Sequence, residues 1–565
     1  MSTYVIGLDF GTNTCRSLIV DIADGREVAS HVFRYPSGRD GVIVDDADPN
    51  LARQNPADYL EGIEATITGA MAGARTAVPG FSPANIIGIG VDTTGSSPMP
   101  IDAAGQPLCF DPRFRGNPHA MVWLWKDHTA FAEAGRITEL AERLRPQYLS
   151  RIGGTYSSEW FWSKILHCLH VAPDVFAAAY SWVEICDWIP AVLTGNILPA
   201  SLRRSVCAAG HKAMYSESWQ GLPDEEYLTA LAPELASLRP RLYAHAFTAD
   251  QQAGTLSPAW AKKLGLPPAV VVAVGAFDAH MGAVGAGIAP GTLVKIVGTS
   301  TCDVMIHPHE QELKDIPGVC GIVDGSVING YFGIEAGQSA VGDIFLWFVN
   351  NLVPETYGTT QDAKFAALEQ AAARLRPGET GLLALDWNNG NRTVLVDVRL
   401  TGLLIGQTLH TQAHEVYRAL MEATGFGALA IINRIEEFGV PVHDVVNCGG
   451  LAIRSPLLMQ IYADVTGRPM KISRSEQTPA LGAAVLASVA AGRERGGHRT
   501  AGDAQQAMTG TGRVFEPIPA HHETYRQLYG LYHRLHDGFG TVHGDGGMYT
   551  IMKELLALRD RVRKG

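Results

Sequence analysis

Two stretches of the chain open with the same alternation of apolar and small polar residues. In YVIGLDFGTNTCRSLIVDIADGREVASHVF the apolar run Tyr4–Leu8 predicts a strand that meets a Gly/Thr/Asn turn. Ser17–Asp21 predicts a second strand, and Asp24-Gly25 turns the chain into a third. Asp-Gly between β-rich runs is a strong hairpin signal. In GTLVKIVGTSTCDVMIHP, Thr292–Val297 predicts a strand, Gly298-Thr299-Ser300-Thr301 a turn, and Asp303–Ile306 a further strand. A hairpin start that recurs in the second half predicts two homologous domains, 1–288 and 289–565, with the boundary between Gly285 and Gly291.

Within each half the hairpins give way to helical periodicity. Pro56–Ala74, Thr129–Leu144 and Ser157–His170 predict helices in the first half, and Ala363–Leu375, His414–Phe438 and Ser455–Val465 in the second. Val416, Leu420, Ala423, Phe426, Leu429 and Ile432 recur at the spacing of one helix face. Strands interleaved with helices make the fold class α/β. The longest apolar run, Ala269–Phe277, is far shorter than a membrane span and predicts a buried strand. Gly492–Gly512 is rich in Gly, Arg and Thr and predicts a loop or linker.

Composition narrows the function classes. The 565 residues are 46% hydrophobic and 18% charged, as in a globular enzyme, and exceed one ordinary core. A formal net charge of -12 with no dense Lys/Arg block argues against a nucleic-acid partner. The basic cluster Arg559–Lys564 is interrupted by Asp560 and reads as a solvated terminal helix. The N-terminal segment lacks the pattern of a signal peptide, so a cytoplasmic protein without a membrane partner is expected. The eight cysteines are scattered with no CxxC, which fits free thiols in a reducing compartment. There is no HExxH, and His521-His522 has no partner at ligand spacing, so no structural metal is expected.

No GxxxxGK[ST] is present and no GxGxxG follows a strand, so a nucleotide would need another phosphate device. The candidate is the pair of turns Gly11-Thr12-Asn13-Thr14 and Gly298-Thr299-Ser300-Thr301. Their glycines admit close backbone approach, and successive N–H groups with hydroxyls form an anion-binding concavity. One such turn is weak evidence; two, each opening a domain, strengthen one another. Asp9, beside the first turn, either caps it or holds Mg²⁺ beside bound phosphates, largely through water. Asp278 ends the run AVVVAVGAF and precedes AHMGAVGAG. It is either a helix N-cap or a carboxylate aimed into a cleft that accepts a proton from an attacking hydroxyl. Asn447-Cys-Gly449-Gly450 is either a plain β-to-α connection or a bare backbone surface for a flat adenine ring.

In this order, IGLDFGTNT, GVDTTGS, LWKDHT, GHKAMY, GAFDAHMGAVGAG, KIVGTSTCDV, the Gly-Ile-Glu335-Ala-Gly-Gln segment and VNCGG resemble the motif series of FGGY carbohydrate kinases over nearly the whole chain. LWKDHT, GHKAMY and GVDTTGS are similar to the members that phosphorylate L-ribulose, and His128 bears on that subgroup. The resemblance implies two ribonuclease-H-like domains of the actin/hexokinase type, with sugar and ATP meeting in the interdomain cleft. It implies Asp278 as catalytic base, with Asp9 and Asp278 near Mg²⁺. It implies Gly11, Thr12 and Asn13 at the first phosphate motif, Gly298 and Thr299 at the second, Gly342 as a further nucleotide contact, and Gly449 and Gly450 at adenosine. Trp125, Lys212, Glu335 and Asp278, with the backbone at Gly95, are the implied sugar contacts. A polyol needs donors, acceptors and a flat apolar wall, which Lys212, Glu335 and Trp125 supply; each is also a residue a fold could use structurally. The expected reaction is ATP-dependent phosphorylation of L-ribulose at its 5-hydroxyl, as in arabinose catabolism, by a homodimer. A kinase for another ketose or polyol and a non-catalytic sugar sensor on the same scaffold are the alternatives.

Overall fold

The structure is a computed structural model that describes residues 2–542 and 547–564. Its frame is two mixed seven-stranded sheets. The first contains β1 (Tyr4–Phe10), β2 (Thr14–Asp21), β3 (Glu27–Arg34), β4 (Ile86–Thr93), β5 (Gln252–Thr255), β6 (Val271–Ala273) and β7 (Ala276–Phe277). The second contains β8 (Thr292–Val297), β9 (Thr301–Pro308), β10 (Gly321–Asp324), β11 (Tyr331–Ala336), β12 (Asp444–Cys448), β13 (Met470–Ser473) and β14 (Thr511–Phe515).

Both sheets follow one plan. The first runs β3-β2-β1-β4-β6-β5, with β7 beside the end of β4; the second runs β10-β11-β9-β8-β12-β13-β14. β1, β2 and β3 form an antiparallel meander, and β4 then lies parallel to β1 and β6 parallel to β4. In the second sheet β8, β9 and β11 form the meander, and β12 and β13 are the parallel additions. This repeated order agrees with the two similar hairpin starts and with the ribonuclease-H-like fold that the family resemblance implies. The predicted helices form as Pro56–Ala77, Phe131–Leu144, Phe161–Val171, Gln361–Ala372, Ala413–Glu437 and Pro456–Thr466.

Two sequence expectations need correction. Ala269–Phe277 is not one strand: it breaks into β6 and β7 around Gly275, which lies so close to the Cys186 carbonyl that a Cβ would not fit. Gly492–Gly512 is not a loop. It contains the helix Ala501–Met508, capped by the Thr500 side chain, and leads into β14. Ala501, Ala504 and Met508 lie on one face of that helix and are buried, a short periodicity that the surrounding Gly and Arg hide.

Five helices position the site: α1 (Val206–Lys212), α2 (Asp278–Gly285), α3 (Gly342–Leu352), α4 (Thr478–Ala491) and α5 (Ala501–Met508). α4, sequence TPALGAAVLASVAA, is almost entirely buried. With α2 it shares an apolar cluster that takes residues from both sheets, Val5, Leu18 and Val20 from the first and Val294, Val304 and Val446 from the second. Gly7 of β1 and Gly90 of β4 are register partners, as are Val5 and Gly88. A Cβ on Gly7 would collide with the Ala480 carbonyl, and one on Gly90 with the Ala483 carbonyl. α4 therefore lies flush on the strands where they carry no side chains.

Backbone cannot yield as a side chain can, so Gly7→Ala is expected to cost about 3 kcal/mol or more. Gly135→Ala, in open space on the helix Phe131–Leu144, should be neutral or gain about 0.5–1 kcal/mol. Urea unfolding of both variants checks this; equal midpoints would show that α4 can slide.

Candidate active site

Along one face of β1 the alternation runs Val5, Gly7, Asp9, and along β4 it runs Gly88, Gly90, Asp92. Asp9 and Asp92 are register partners, and Ala276 of β7 pairs with Asp92, so the chain reaches Asp278 immediately beyond. Three carboxylates thus gather where these strands end. Asp278 is the first residue of α2, with Phe277 as the cap, and its Oδ1 accepts from the Ala279 N–H at 2.7 Å. Burial, then the neighbouring Asp9, pushes the Asp278 carboxyl up to about 7. Asp9 is also raised by burial, against the pull of Arg16, whose Nε stands 3.1 Å from its Oδ2. Asp92 is fully buried, and neither of its oxygens has a hydrogen-bond donor. Burial, with Asp9 and Asp278 beside it, holds its carboxyl well above the usual range. Arg16 also lines an open groove of about 840 Å³ walled by Glu27 and Ser30 of β3 and by Arg474 and Gln477 beyond β13.

The first phosphate turn is tight, with Gly11 N–H donating to Thr14 O at 2.9 Å. Gln54 Nε2 donates to Thr12 O at 2.7 Å, and Trp125 Nε1 donates to Thr12 Oγ1 at 3.0 Å. The Asn13 side chain turns away and donates to Asp40 O at 2.6 Å. In the second turn Gly298 N–H donates to Ser300 O at 2.9 Å, and Val341 and Asp343 N–H groups donate to Thr299 O. Gly342, the first residue of α3, packs against this turn; a Cβ there would stand 2.6 Å from Gly298 O. Gly449 has φ 91 and lies against the Val297 carbonyl, which joins its turn to the same corner. Gly450, the next residue, opens the short helix Gly450–Arg454, and a Cβ there would meet the Arg454 guanidinium. Among the described residues no hydrogen bond joins the two phosphate turns.

On the sugar side, Lys212 ends α1 and Glu335 lies in β11, so their pair spans the two halves of the chain. Lys212 Nζ stands 3.1 and 3.2 Å from the two Glu335 oxygens. Burial alone would raise Glu335, but Lys212 and His211 hold its carboxyl well below the usual range. Trp125 is half-buried against Val42, Ala52 and Leu124. Gly95 admits the Phe277 ring, which a Cβ would strike. His128 is exposed at the rim, within 3.8 Å of Glu159.

Several residues that hold the site were not assigned roles from sequence. Asp92 stood within the motif GVDTTGS, but only the register with Asp9 shows what it faces. Lys164, a lone lysine in the apolar helix Phe161–Val171, donates to Ser96 O at 2.7 Å and Leu124 O at 2.8 Å. Glu184 accepts from the Ser97 N–H at 2.6 Å and from the Ser96 hydroxyl. These two buried side chains fix the loop of Gly95 from beneath and the approach to Trp125. The signal available was a charge inside an otherwise apolar element, FWSKILHCLHV and SWVE.

Comparison with known proteins gives one family. The N-terminal domain of the FGGY family of carbohydrate kinases matches residues 4–285, and the C-terminal domain of that family matches residues 293–491. A ribulokinase of Shouchella clausii is 44% identical, covering 100% of this chain and 99% of its own length. A ribulokinase of Halalkalibacterium halodurans is 43% identical, covering 98% of this chain and 97% of its own. The crystal structure of xylulose kinase from Rhodospirillum rubrum superposes with a TM-score of 0.75 at 22% identity, covering 95% of this chain and 99% of that one, a likeness of fold. No helix among the described residues is long and apolar enough to cross a membrane.

Because Trp125 Nε1–H donates to Thr12 Oγ1, the Thr12 hydroxyl is left with its own hydrogen free to donate to an anion. Trp125→Phe keeps an apolar wall and removes that orientation. ATP affinity is expected to fall roughly 3- to 10-fold, the worth of about one hydrogen bond. Calorimetric titration checks this; unchanged affinity would mean that Gln54 alone holds the turn.

Proposed function

Because this chain belongs to the FGGY family of carbohydrate kinases, we propose that it transfers the γ-phosphoryl group of ATP to the 5-hydroxyl of L-ribulose. The observation that carries this reading is one half-buried carboxyl, Asp278, set between the Lys212–Glu335 pair and the corner of Asp9, Asp92 and Thr12. The relatives named ribulokinase match along almost their whole length, which supports ribulose as the acceptor. The N-terminal part, 1–288, supplies the first phosphate turn, the base and most of the sugar contacts. The C-terminal part, 289–565, supplies the second turn, the adenosine glycines and Glu335. The reaction belongs in the cytoplasm, where ATP is made and the eight free thiols stay reduced, and a homodimer is the assembly we assign.

The sugar lies against Trp125, its hydroxyls accepting from Lys212 and donating to Glu335, while the backbone at Gly95 closes one end. This fixes the terminal hydroxyl beside Asp278. As its oxygen attacks the γ-phosphorus, the proton passes to an Asp278 oxygen, the bond to the bridging oxygen breaks, and ADP leaves. The Gly11 and Gly298 N–H groups close their own turns, which leaves the N–H groups of Thr12, Asn13 and Thr299 for the phosphate oxygens, with Gly342, Gly449 and Gly450 giving the nucleotide bare backbone. The carboxylates fit a hard divalent cation, since Asp92 offers two buried oxygens without a donor beside Asp9. Asp9, Asp92 and Asp278 would hold Mg²⁺, largely through water, and its charge would offset that of the phosphates.

ADP release with Mg²⁺ and ATP, measured against L-ribulose, D-ribulose, xylulose, ribitol, L-arabinose, fuculose and glycerol, tests the reading. The highest kcat/KM is expected with L-ribulose; a higher value with another sugar would move the acceptor, and no sugar-stimulated release would remove the reaction.

A carboxyl held at about 7 is protonated below that pH and cannot act as a base. kcat/KM for the sugar should therefore rise with pH and level off at or below about 7, because a cation beside Asp278 can only lower its pKa. Asp278→Ala should fold and lose at least ~100-fold in kcat. A rising limb that continues well above pH 7, or near-normal turnover of the variant, would assign the base elsewhere.

A further inference from the structure

Behind Glu335 lies a polar cluster that the proposed reaction does not use. His211 precedes Lys212 in α1, and His280 stands two residues after Asp278 in α2; both are buried. Their Nε2 atoms are 3.0 Å apart. His211 Nδ1 lies 3.3 Å from Glu335 Oε2, and His280 Nε2 lies 3.7 Å from the same oxygen. Ser326, beyond β10 in the second half, places its Oγ 3.0 Å from His211 Nε2.

We propose that His280 and His211 form a directional hydrogen-bond chain ending on Glu335, which positions that carboxylate for the sugar and ties it to the helix that carries Asp278. The direction follows from counting protons. A bare Nδ1 on His211 would set two acceptors face to face, against a carboxylate in a dry interior. Nδ1 therefore carries the proton and turns it toward Glu335 at 3.3 Å, out of line for a full hydrogen bond in this structure, which leaves His211 Nε2 as an acceptor. The donor left for it is His280 Nε2–H, because the Ser326 hydroxyl, also 3.0 Å away, donates to Val323 O at 3.2 Å. His280 Nδ1, which has no hydrogen-bond partner, is then a bare lone pair and not a stranded N–H, the less costly of the two omissions.

The three side chains could also share a metal ion, since their ligand atoms lie within 4.8 Å of one another. The Lys212 ammonium argues against it: at 3.1 Å it already neutralises Glu335, and a dication would stand beside it with little water between them. The chain of hydrogen bonds has a consequence for function. Glu335 comes from the second half of the protein, while His211, Lys212, His280 and Asp278 come from the first. The histidines and Lys212 thus hold the acceptor of the sugar hydroxyls in register with the base. Both histidines are positioning residues, acting through Glu335.

The inference rests on the sugar-binding role proposed for Glu335, and two measurements separate its failure from that of the role. In folded, histidine-labelled protein, nitrogen-15 NMR, with His211→Asn and His280→Gln used for assignment, should show His211 protonated at Nδ1 and His280 at Nε2. The opposite tautomers, or a stoichiometric tightly bound metal in the purified protein, would overturn the chain whatever the enzyme acts on. In kinetics, His211→Leu should raise the sugar KM ~10-fold or more, as expected for a lost hydrogen bond to a charged group, with ATP KM within about twofold. His211→Asn, whose amide N–H falls near Nδ1, should recover most of that loss. Equal sugar KM in the Leu variant, or equal loss in Leu and Asn, overturns the positioning role. A wild-type protein that turns over no sugar overturns the proposed function and leaves the tautomer test standing.

Discussion

The flush contact of α4 with β1 and β4 is the constraint on which the rest depends. Gly7 and Gly90 face the Ala480 and Ala483 carbonyls with no room for a Cβ, and Gly482 of α4 meets the Met281 carbonyl of α2 in the same way. A helix set this close cannot slide without backbone collision. The next residues along the same strand face are Asp9 and Asp92, just beyond the helix N-terminus, since Ala480 lies over Gly7. α2 begins at Asp278 beside them, so two helix N-termini approach the carboxylate corner. Such ends favour negative charge and are suited to phosphate. The same packing joins the halves: α4 follows β13 of the second sheet in sequence and lies on the first.

Charge sets the carboxylate corner apart from the rest of the interior. Three carboxylates with one arginine in contact are an unfavourable set in a dry site, and the cost appears as protons held by Asp92 and Asp278 at a pH where exposed carboxylates have lost theirs. Lys212 does little to relieve this, because its charge is matched by Glu335 at hydrogen-bond distance. The two sides therefore differ in kind. The Lys212–Glu335 side is balanced and offers polar atoms of both senses, whereas the Asp9, Asp92 and Asp278 side is short of positive charge.

What was legible in the sequence was whatever depends on local order. The two hairpin starts, the six helices and the phosphate turns follow from apolar periodicity and turn residues, because those features are set by neighbours in the chain. The raised pKa of Asp278, the crowding of Asp92 by Asp9 and the support given by Lys164 and Glu184 depend on strand register and burial, which join residues far apart. The helix Ala501–Met508 was missed for the opposite reason. Its buried face needs only Ala501, Ala504 and Met508, too few to stand out among Gly and Arg, yet enough where it packs on α4 and the Asp24-Gly25 turn.

A kinase that keeps a competent base beside ATP must favour a sugar hydroxyl over water. Water can donate its proton to Asp278, so the carboxylate alone does not discriminate. Discrimination must come from interactions that only the sugar makes, and these are distributed in an informative way. Trp125 bonds to Thr12, so the wall of the sugar site and the phosphate turn move as one unit. Lys212 and Glu335 come from opposite halves and are already paired, so under the proposed reaction hydroxyls that engage both would read the two halves in one arrangement. A water can meet only one or two of these groups at a time, whereas a sugar's row of hydroxyls can engage Trp125, Lys212 and Glu335 together. The binding energy of the correct acceptor is thereby spent on aligning the base with the phosphate, which is how a site built from common side chains selects its substrate.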